Sequence, residues 1–333
     1  MKFSLLEHKH GKAGIVNKGD FVQSLAAAQF LPSIDYFVER DKLNKVDYKV
    51  SKIIMNGWFT YNPENWPPNS NLIPLFISFH LNPKYAKKLL SNQENVDYLR
   101  KHGPIGCRDF STLEILQSYK INAYYSSCLT TTLDLNYKST VKNDKILIID
   151  VGYKYDTSFV YKNDPKRIIF HLLKGTIFTN LNFIKKKKIL NSLIPKEILK
   201  KSEFKHVFTR NDQETNVIFD EVKSDLHSFA QAKLVITSRI HVALPCLAVG
   251  TPVLFIIDGL VDQVGHISRF DGILDHLNIL CDDKDFINKL FRKKMNVFTK
   301  DEIDWDNPPA NPNTHLKYAE LLKEKCFEFI NSK

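Results

Sequence analysis

Short apolar, β-branched runs recur along the chain, separated by stretches long enough for helices. They fall at 48–56 (YKVSKIIMN), 74–80 (PLFISFH), 104–108 (PIGCR), 122–127 (NAYYSS), 145–151 (KILIIDV), 166–173 (KRIIFHLL), 205–210 (KHVFTR), 233–238 (KLVITS) and 252–257 (PVLFII). Such alternation predicts an α/β fold with parallel sheets built from crossover units. The most polar interval near the middle, 135–144 (LNYKSTVKND), runs straight into a strand. It predicts a boundary between an N-terminal domain, 1–140, and a C-terminal domain, 141–313, each large enough to bury its own interior. Beyond the proline-rich loop 305–313, Leu316, Tyr318, Leu321, Leu322, Phe327 and Ile330 recur at helical spacing. They predict a final amphipathic helix, within 314–333, that packs back on the first domain.

One junction breaks the apolar pattern. In LVITSRIHVALPCLAVGTPVLFI, residues 234–256, a buried strand runs into Arg239 and His241 before the apolar sequence resumes. Gly250 marks the left-handed cap of the intervening helix, with Pro252 just past it. Pro245 deprives the His241 carbonyl of its helical donor, which predicts a helix start close to His241. Arg239 and His241 then lie at the carboxyl edge of a parallel sheet and at the positive end of a helix, where open α/β folds bind anions, with the amides of Ile240 and Val242 as added donors. The other reading is a strand-to-helix turn whose Arg pairs with an Asp or Glu.

Three further segments leave two readings each. In RDFSTLE, Ser111 and Glu114 stand at capping-box spacing, so a helix starts at Ser111 and Arg108 precedes it, either paired with Asp109 or Glu114 or facing a ligand. In NKGDFVQSLAAAQFLP (17–32), Gly19 permits a tight turn and Asp20 is either the helix N-cap or a group facing a cleft. Asn56 and Gly57 end a strand ahead of Trp58, Tyr61 and Trp66, aromatics that serve as a platform for sugar rings or as core plugs. His8 and His10 have metal-like spacing without a cysteine or carboxylate companion, and no metal site is expected.

Composition narrows the classes. The chain of 333 residues is 43% hydrophobic and 25% charged, as globular proteins are, and no run of about 18 apolar residues predicts a membrane span. The N-terminus breaks into His and Lys too early for a signal peptide, so a cytoplasmic location is expected. Five widely spaced cysteines, odd in number, read as reduced thiols. A formal charge of +10 attracts anionic partners. The densest basic segment, FIKKKKILNSLIPKEILKK (183–201), fits peripheral contact with an anionic membrane or an ordinary lysine-rich solvated face. Neither zinc-finger spacing nor an aromatic-basic RNA-binding pattern is present, and no nucleic acid partner is expected.

The 234–256 segment resembles the signature of the polysaccharide pyruvyl transferase family, a Ser-Arg-aliphatic-His turn before a helix that ends in Gly-Thr-Pro. The stretch 17–32 resembles the family's opening turn and first helix. GCRDFSTLEILQSYKINAYYSSCLTTTL (106–133) resembles its Arg-x-x-Ser segment and following strand. The resemblance implies two Rossmann-like domains with a cleft between them, as in GT-B glycosyltransferases, and transfer of pyruvate from phosphoenolpyruvate to two hydroxyls of a sugar as a ketal. It implies no cofactor beyond that co-substrate, and a sugar acceptor that is free or lipid-diphosphate-linked. Arg239 and Arg108 would bind the donor's carboxylate and phosphate in forks, His241 would move protons, and Asp20 would face the acceptor; read as a sugar platform, the loop of Asn56 and Trp58 faces the acceptor as well. Family members often carry a lysine shortly after the Gly-Thr-Pro strand. Here Arg269 is the nearest strong cation, with His266 and Asp258 near it. The alternatives are a nucleotide-sugar glycosyltransferase of the same fold and a noncatalytic sugar-binding member of a glycan assembly complex.

Overall fold

Fourteen short strands carry the apolar runs of the described residues, which are 1–8, 15–152, 169, 173, 181–210, 212–258 and 268–332 of a computed structural model. In the first half they are β1 (Lys2–Glu7), β2 (Ile15–Asn17), β3 (Tyr36–Glu39), β4 (Ser51–Gly57), β5 (Leu72–Phe79), β6 (Ile105–Cys107) and β7 (Ala123–Tyr125). The second half adds β8 (Ile146–Ile149), β9 (Glu203–Lys205), β10 (Phe208–Arg210), β11 (Leu234–Thr237), β12 (Val253–Ile256), β13 (Asn278–Leu280) and β14 (Val297–Phe298). Two six-stranded sheets result, ordered β3-β1-β4-β5-β6-β7 and β14-β13-β12-β11-β8-β9. Every pairing in both is parallel. The central strands β4, β8, β11 and β12 are buried along their whole length, as expected where both faces are covered.

Strand alternation sorts side chains into three apolar layers. Ile53, Met55 and Phe76 face one outer layer of the first sheet. Ile146, Ile148, Leu234, Ile236, Leu254 and Ile256 face an outer layer of the second. The largest core contains inner-face residues of both sheets, including Leu5, Ile54, Leu147, Ile149, Val235 and Phe255. It is filled by Phe21 and Leu25 of the helix Lys18–Ala28, Phe219 and Leu226 of Thr215–Gln231, Val242 and Leu247 of Ile240–Val249, and Leu322 and Cys326 of Leu316–Asn331. β2 crosses over to pair antiparallel with β10, and the amide of Lys18 donates to the Val207 carbonyl at 2.7 Å.

The final helix forms at the expected place. The buried ammonium of Lys52, on β4, reaches its last carbonyls, Phe329 O at 2.7 Å, Ile330 O at 3.2 Å and Ser332 O at 2.5 Å. Phe327 meets Phe30 edge-on, and Lys323 pairs with Asp134 at 3.0 Å. Several expectations are revised. The run 205–210 splits into β9 and β10, because Asp150 captures His206 and the Val207 amide between them. The strand expected over 166–173 falls outside the described residues except Ile169 and Leu173, which are helical. The lysine-rich segment forms a helix, Leu181–Leu193, that stops before Pro195, with Leu190 and Leu193 in the core and Lys187 and Lys188 exposed. Among the described residues no helix is long and apolar enough to cross a membrane. All five cysteines are buried and unpaired.

Candidate functional site

Parallel strands deliver their following residues to one edge, and here the ionisable groups collect at the carboxyl edges of both sheets. His8 follows β1, His80 follows β5 and Arg108 follows β6; Asp150 follows β8, His206 follows β9, and Ser238 and Arg239 follow β11. Three non-glycine residues near these strand ends are in left-handed backbone, Ser78 within β5 at φ 53°, Ser127 beyond β7 at 61° and Asp150 beyond β8 at 44°. Such strain persists only where the surroundings enforce it, and it concentrates at functional sites. A cleft of roughly 40 Å³ of water-accessible space opens between Asn17, Gly19, Ser238–Val242, Arg269 and Phe270, more than a single water requires.

The Ser-Arg-Ile-His turn is built as its residues demand. Arg239 is the N-cap of the helix Ile240–Val249, which ends at Gly250 in left-handed backbone, φ 73°. The helix starts one residue before His241 and carries Pro245 past its first turn, so the ring is accommodated inside the helix and not only at its entry. The Arg239 amide donates to Thr237 Oγ1 at 3.0 Å. Its guanidinium lies 4.7 Å over the Phe208 ring, with Nε 3.4 Å from Asp150 Oδ2. The carboxylate reading of this arginine is therefore realised in part. Asp150 is shared, since its Oδ1 lies 2.8 Å from His206 Nδ1 and its Oδ2 accepts the Val207 amide at 3.0 Å. Val242 was expected to offer its amide to an anion, but it donates to the Arg239 carbonyl at 3.0 Å, closing the first turn. That leaves Ile240 and His241 as the leading amides of the turn.

His241 is buried, and its Nε2 has no hydrogen-bond partner among the described residues. Burial holds its pKa well below the usual histidine value, with Arg108, Arg269 and His80 acting in the same direction and Asp20 against them. The imidazole is neutral at pH 7. Gly19 permits this packing, because a Cβ there would come within 3.2 Å of His241 Cβ and 3.3 Å of its Nδ1.

Arg108 is 1% exposed, and its Nε and Nη2 lack hydrogen-bond acceptors among the described residues; Asp109 Oδ2 stands 3.6 Å from Nε. Burial depresses its pKa, with Asp109 pulling the other way. The helix beyond it is Phe110–Ser118, capped by Asp109 and not by Ser111. Asp109 Oδ1 accepts the Thr112 amide at 2.9 Å and the Thr112 hydroxyl at 2.8 Å, while Oδ2 lies 2.7 Å from His80 Nδ1. Arg269 approaches the cluster from the second half, stacked 5.9 Å from Phe270, its buried Nε also without an acceptor. His266 lies outside the described residues.

Asp20 is not the cap of the first helix. Asn17 is, accepting the Gly19 amide at 3.0 Å. Asp20 instead accepts a hydrogen bond from Arg40 Nη1 at 3.0 Å. Burial works against its charge, yet Arg40, His8, His241 and Arg269 together hold the carboxyl below the usual range. Arg40 lies 5.9 Å over Trp58, which meets Tyr61 and Tyr85 at 5.9 and 5.8 Å. Trp66 is a core residue stacked on Phe59. Asn56 is buried and its amide donates to the Gln23 carbonyl at 2.8 Å, which makes it a brace between β4 and the first helix. His8 Nε2 contacts Ser24 Oγ at 3.0 Å, and burial lowers its pKa to about 3. Arg108, Arg269, His80 and Asp20 all act electrostatically on His241, while Arg239, two residues before it, faces Asp150. Asp150, Arg40 and the His80–Asp109 pair carry no local sequence signal, because their partners lie far apart along the chain.

A sequence model described as polysaccharide pyruvyl transferase matches residues 17–258. No curated protein matches the chain. A crystal structure of a functionally uncharacterized protein from Klebsiella pneumoniae subsp. pneumoniae is similar at 14% identity and TM-score 0.43, over 81% of this chain and 87% of that one.

Proposed function

The chain belongs to the polysaccharide pyruvyl transferase family, and from that premise we propose that it transfers the pyruvyl group of phosphoenolpyruvate to two hydroxyls of a sugar as a ketal, in glycan synthesis. The two parallel sheets then act as the lobes of a GT-B-like enzyme, with donor and acceptor meeting at their carboxyl edges. The observation that carries this reading is the cluster of buried cationic donors that lack acceptors among the described residues, Arg108 Nε and Nη2 and Arg269 Nε, beside His241 Nε2, which lacks a partner there too. Buried donors are costly unless paired, and a small polyanion supplies the missing acceptors. Arg239 and Arg108 clamp its carboxylate and phosphate, and Arg269 stands where the family's lysine often does. Trp58, with Arg40 and Asp20, offers the acceptor a stacking and hydrogen-bonding surface.

The chemistry balances within the site. C3 of the donor gains a proton and becomes a methyl group, one hydroxyl oxygen attacks C2, the C2–O bond to phosphate breaks, and the second hydroxyl oxygen closes the ketal. One hydroxyl proton ends on C3 and the other on phosphate. His241, neutral in the free protein, becomes a competent proton carrier once the donor's negative charge offsets Arg108 and Arg269. The test is titration calorimetry with phosphoenolpyruvate beside a phosphate-release assay on p-nitrophenyl glycosides. Arg239→Ala should lose donor binding; His241→Asn should keep it while turnover falls about 10²- to 10⁴-fold. Normal turnover in a folded His241→Asn protein, or a nucleotide requirement, would overturn the reading.

A further inference from the structure

Two hydroxyl protons must move in this reaction, and His241 accounts for one carrier. We propose that His80, oriented by Asp109, is the second, the base that takes a proton from an acceptor hydroxyl. The proposal rests on the pyruvyl-transfer reading. The bonding around Asp109 fixes the histidine's tautomer. Thr112 Oγ1 accepts the Leu81 amide at 2.9 Å and sends its own hydrogen to Asp109 Oδ1. The carboxylate's remaining oxygen, Oδ2, lies 2.7 Å from His80 Nδ1, and a carboxylate only accepts, so Nδ1 carries the proton. The lone pair of the neutral ring is then on Nε2, which makes no hydrogen bond among the described residues. A carboxylate that holds an imidazole in one tautomer, with the other nitrogen free, is the arrangement of a general base and its orienting group.

The location fits the task. His80 follows β5 beside Arg108, the charged or titratable groups acting on it are Asp109, Arg108 and Arg269, and it acts in turn on His241. Burial first, then Arg108, lowers its pKa to about 4, while Asp109 opposes them. A bound polyanion neutralises both arginines, so His80 becomes a stronger base only when the donor is in place. Proton removal from the acceptor is thereby coupled to donor occupancy, and an empty site stays inert.

Two variants and one spectrum test this. In His80→Gln, phosphoenolpyruvate affinity by calorimetry should stay within about threefold of the unaltered protein. Phosphate release with p-nitrophenyl galactosides, glucosides and mannosides should fall about 10²- to 10⁴-fold, and the acidic limb of its pH profile should disappear. Asp109→Asn keeps an acceptor for Thr112 but turns an amide N–H toward Nδ1, driving the ring proton to Nε2. It should lose turnover with donor affinity retained. Nitrogen-15 spectra of labelled histidine in the unaltered protein should show His80 Nδ1 protonated and Nε2 bare, a readout independent of any variant's folding. Undiminished turnover in His80→Gln, or a protonated Nε2, would overturn the proposal. Loss of donor affinity in step with turnover would overturn it too, reducing the pair to a brace for Arg108. An unaltered protein that fails to bind phosphoenolpyruvate would instead refute the underlying reading of function.

Discussion

His276 lies outside the cleft, and replacing it isolates a property of the whole fold, its sensitivity to mild acid. The ring is 2% exposed and fully engaged as a neutral group. Thr314 Oγ1 donates to the Asp275 carbonyl at 3.0 Å and so accepts from His276 Nδ1 at 2.9 Å; Tyr125 offers its hydroxyl hydrogen to Nε2 at 3.4 Å. Burial, followed by the charge of His315, lowers its pKa to about 4 from the ordinary 6.5. The folded pKa is depressed, so below 6.5 the unfolded chain binds a proton that the folded chain refuses, and stability falls as pH drops from about 6.5 toward 4. At about 1.4 kcal/mol per pH unit, holding one such ring neutral at pH 5 costs about 2 kcal/mol. His8, at about 3, and His80, at about 4, add similar amounts. All three act in the same direction, so acid removes stability between pH 7 and pH 5 that is a noticeable share of a typical domain's roughly 5–15 kcal/mol. Urea unfolding at both pH values is the assay. His276→Gln should lower stability at pH 7 modestly, yet shrink the pH 7 to pH 5 difference by about 2 kcal/mol. An equal difference in both proteins, or no acid loss in the unaltered chain, would refute the reasoning.

Gly19→Ala places a Cβ 3.1 Å from Asn17 Oδ1 and 3.2 Å from His241 Cβ. Turnover should fall about tenfold through displacement of His241, with donor affinity and melting temperature nearly unchanged, as kinetics, calorimetry and a thermal scan will show. Lys52→Met leaves three carbonyls at the end of the helix Leu316–Asn331 without their cation. It should cost about 3 kcal/mol in urea unfolding and speed amide hydrogen exchange in that helix first.

The junction at 234–256 was legible because each of its signals is local: a β-branched strand, a cap-position glycine and a proline beyond it. The capping error at Arg108 shows the opposite case. RDFSTLE contains two equivalent local patterns, Asp109 with Thr112 and Ser111 with Glu114, and His80, which the chosen cap also binds, lies 29 residues away in sequence. The N-cap reading of Asp20 fails for the same reason, because Asn17 caps the turn and Asp20 pairs with Arg40. Asp150 carried no sequence signal beyond ending a strand. β13 and β14 are only three and two residues long, too short to show a period.

The pairing of β2 with β10 has a consequence for synthesis of the chain. Val16 must find Thr209, which leaves the ribosome roughly 190 residues later, on the order of 10–40 s at 5–20 residues per second. During that wait Phe21, Val22 and Leu25 of the first helix lack their partners in Thr215–Gln231 and Ile240–Val249, since all belong to one core. The amino-terminal half therefore emerges as a nascent chain with an uncovered apolar face until the helices of the second half that pack on it have been made. Aggregation during expression should track elongation rate and holdase supply rather than the stability of the finished protein.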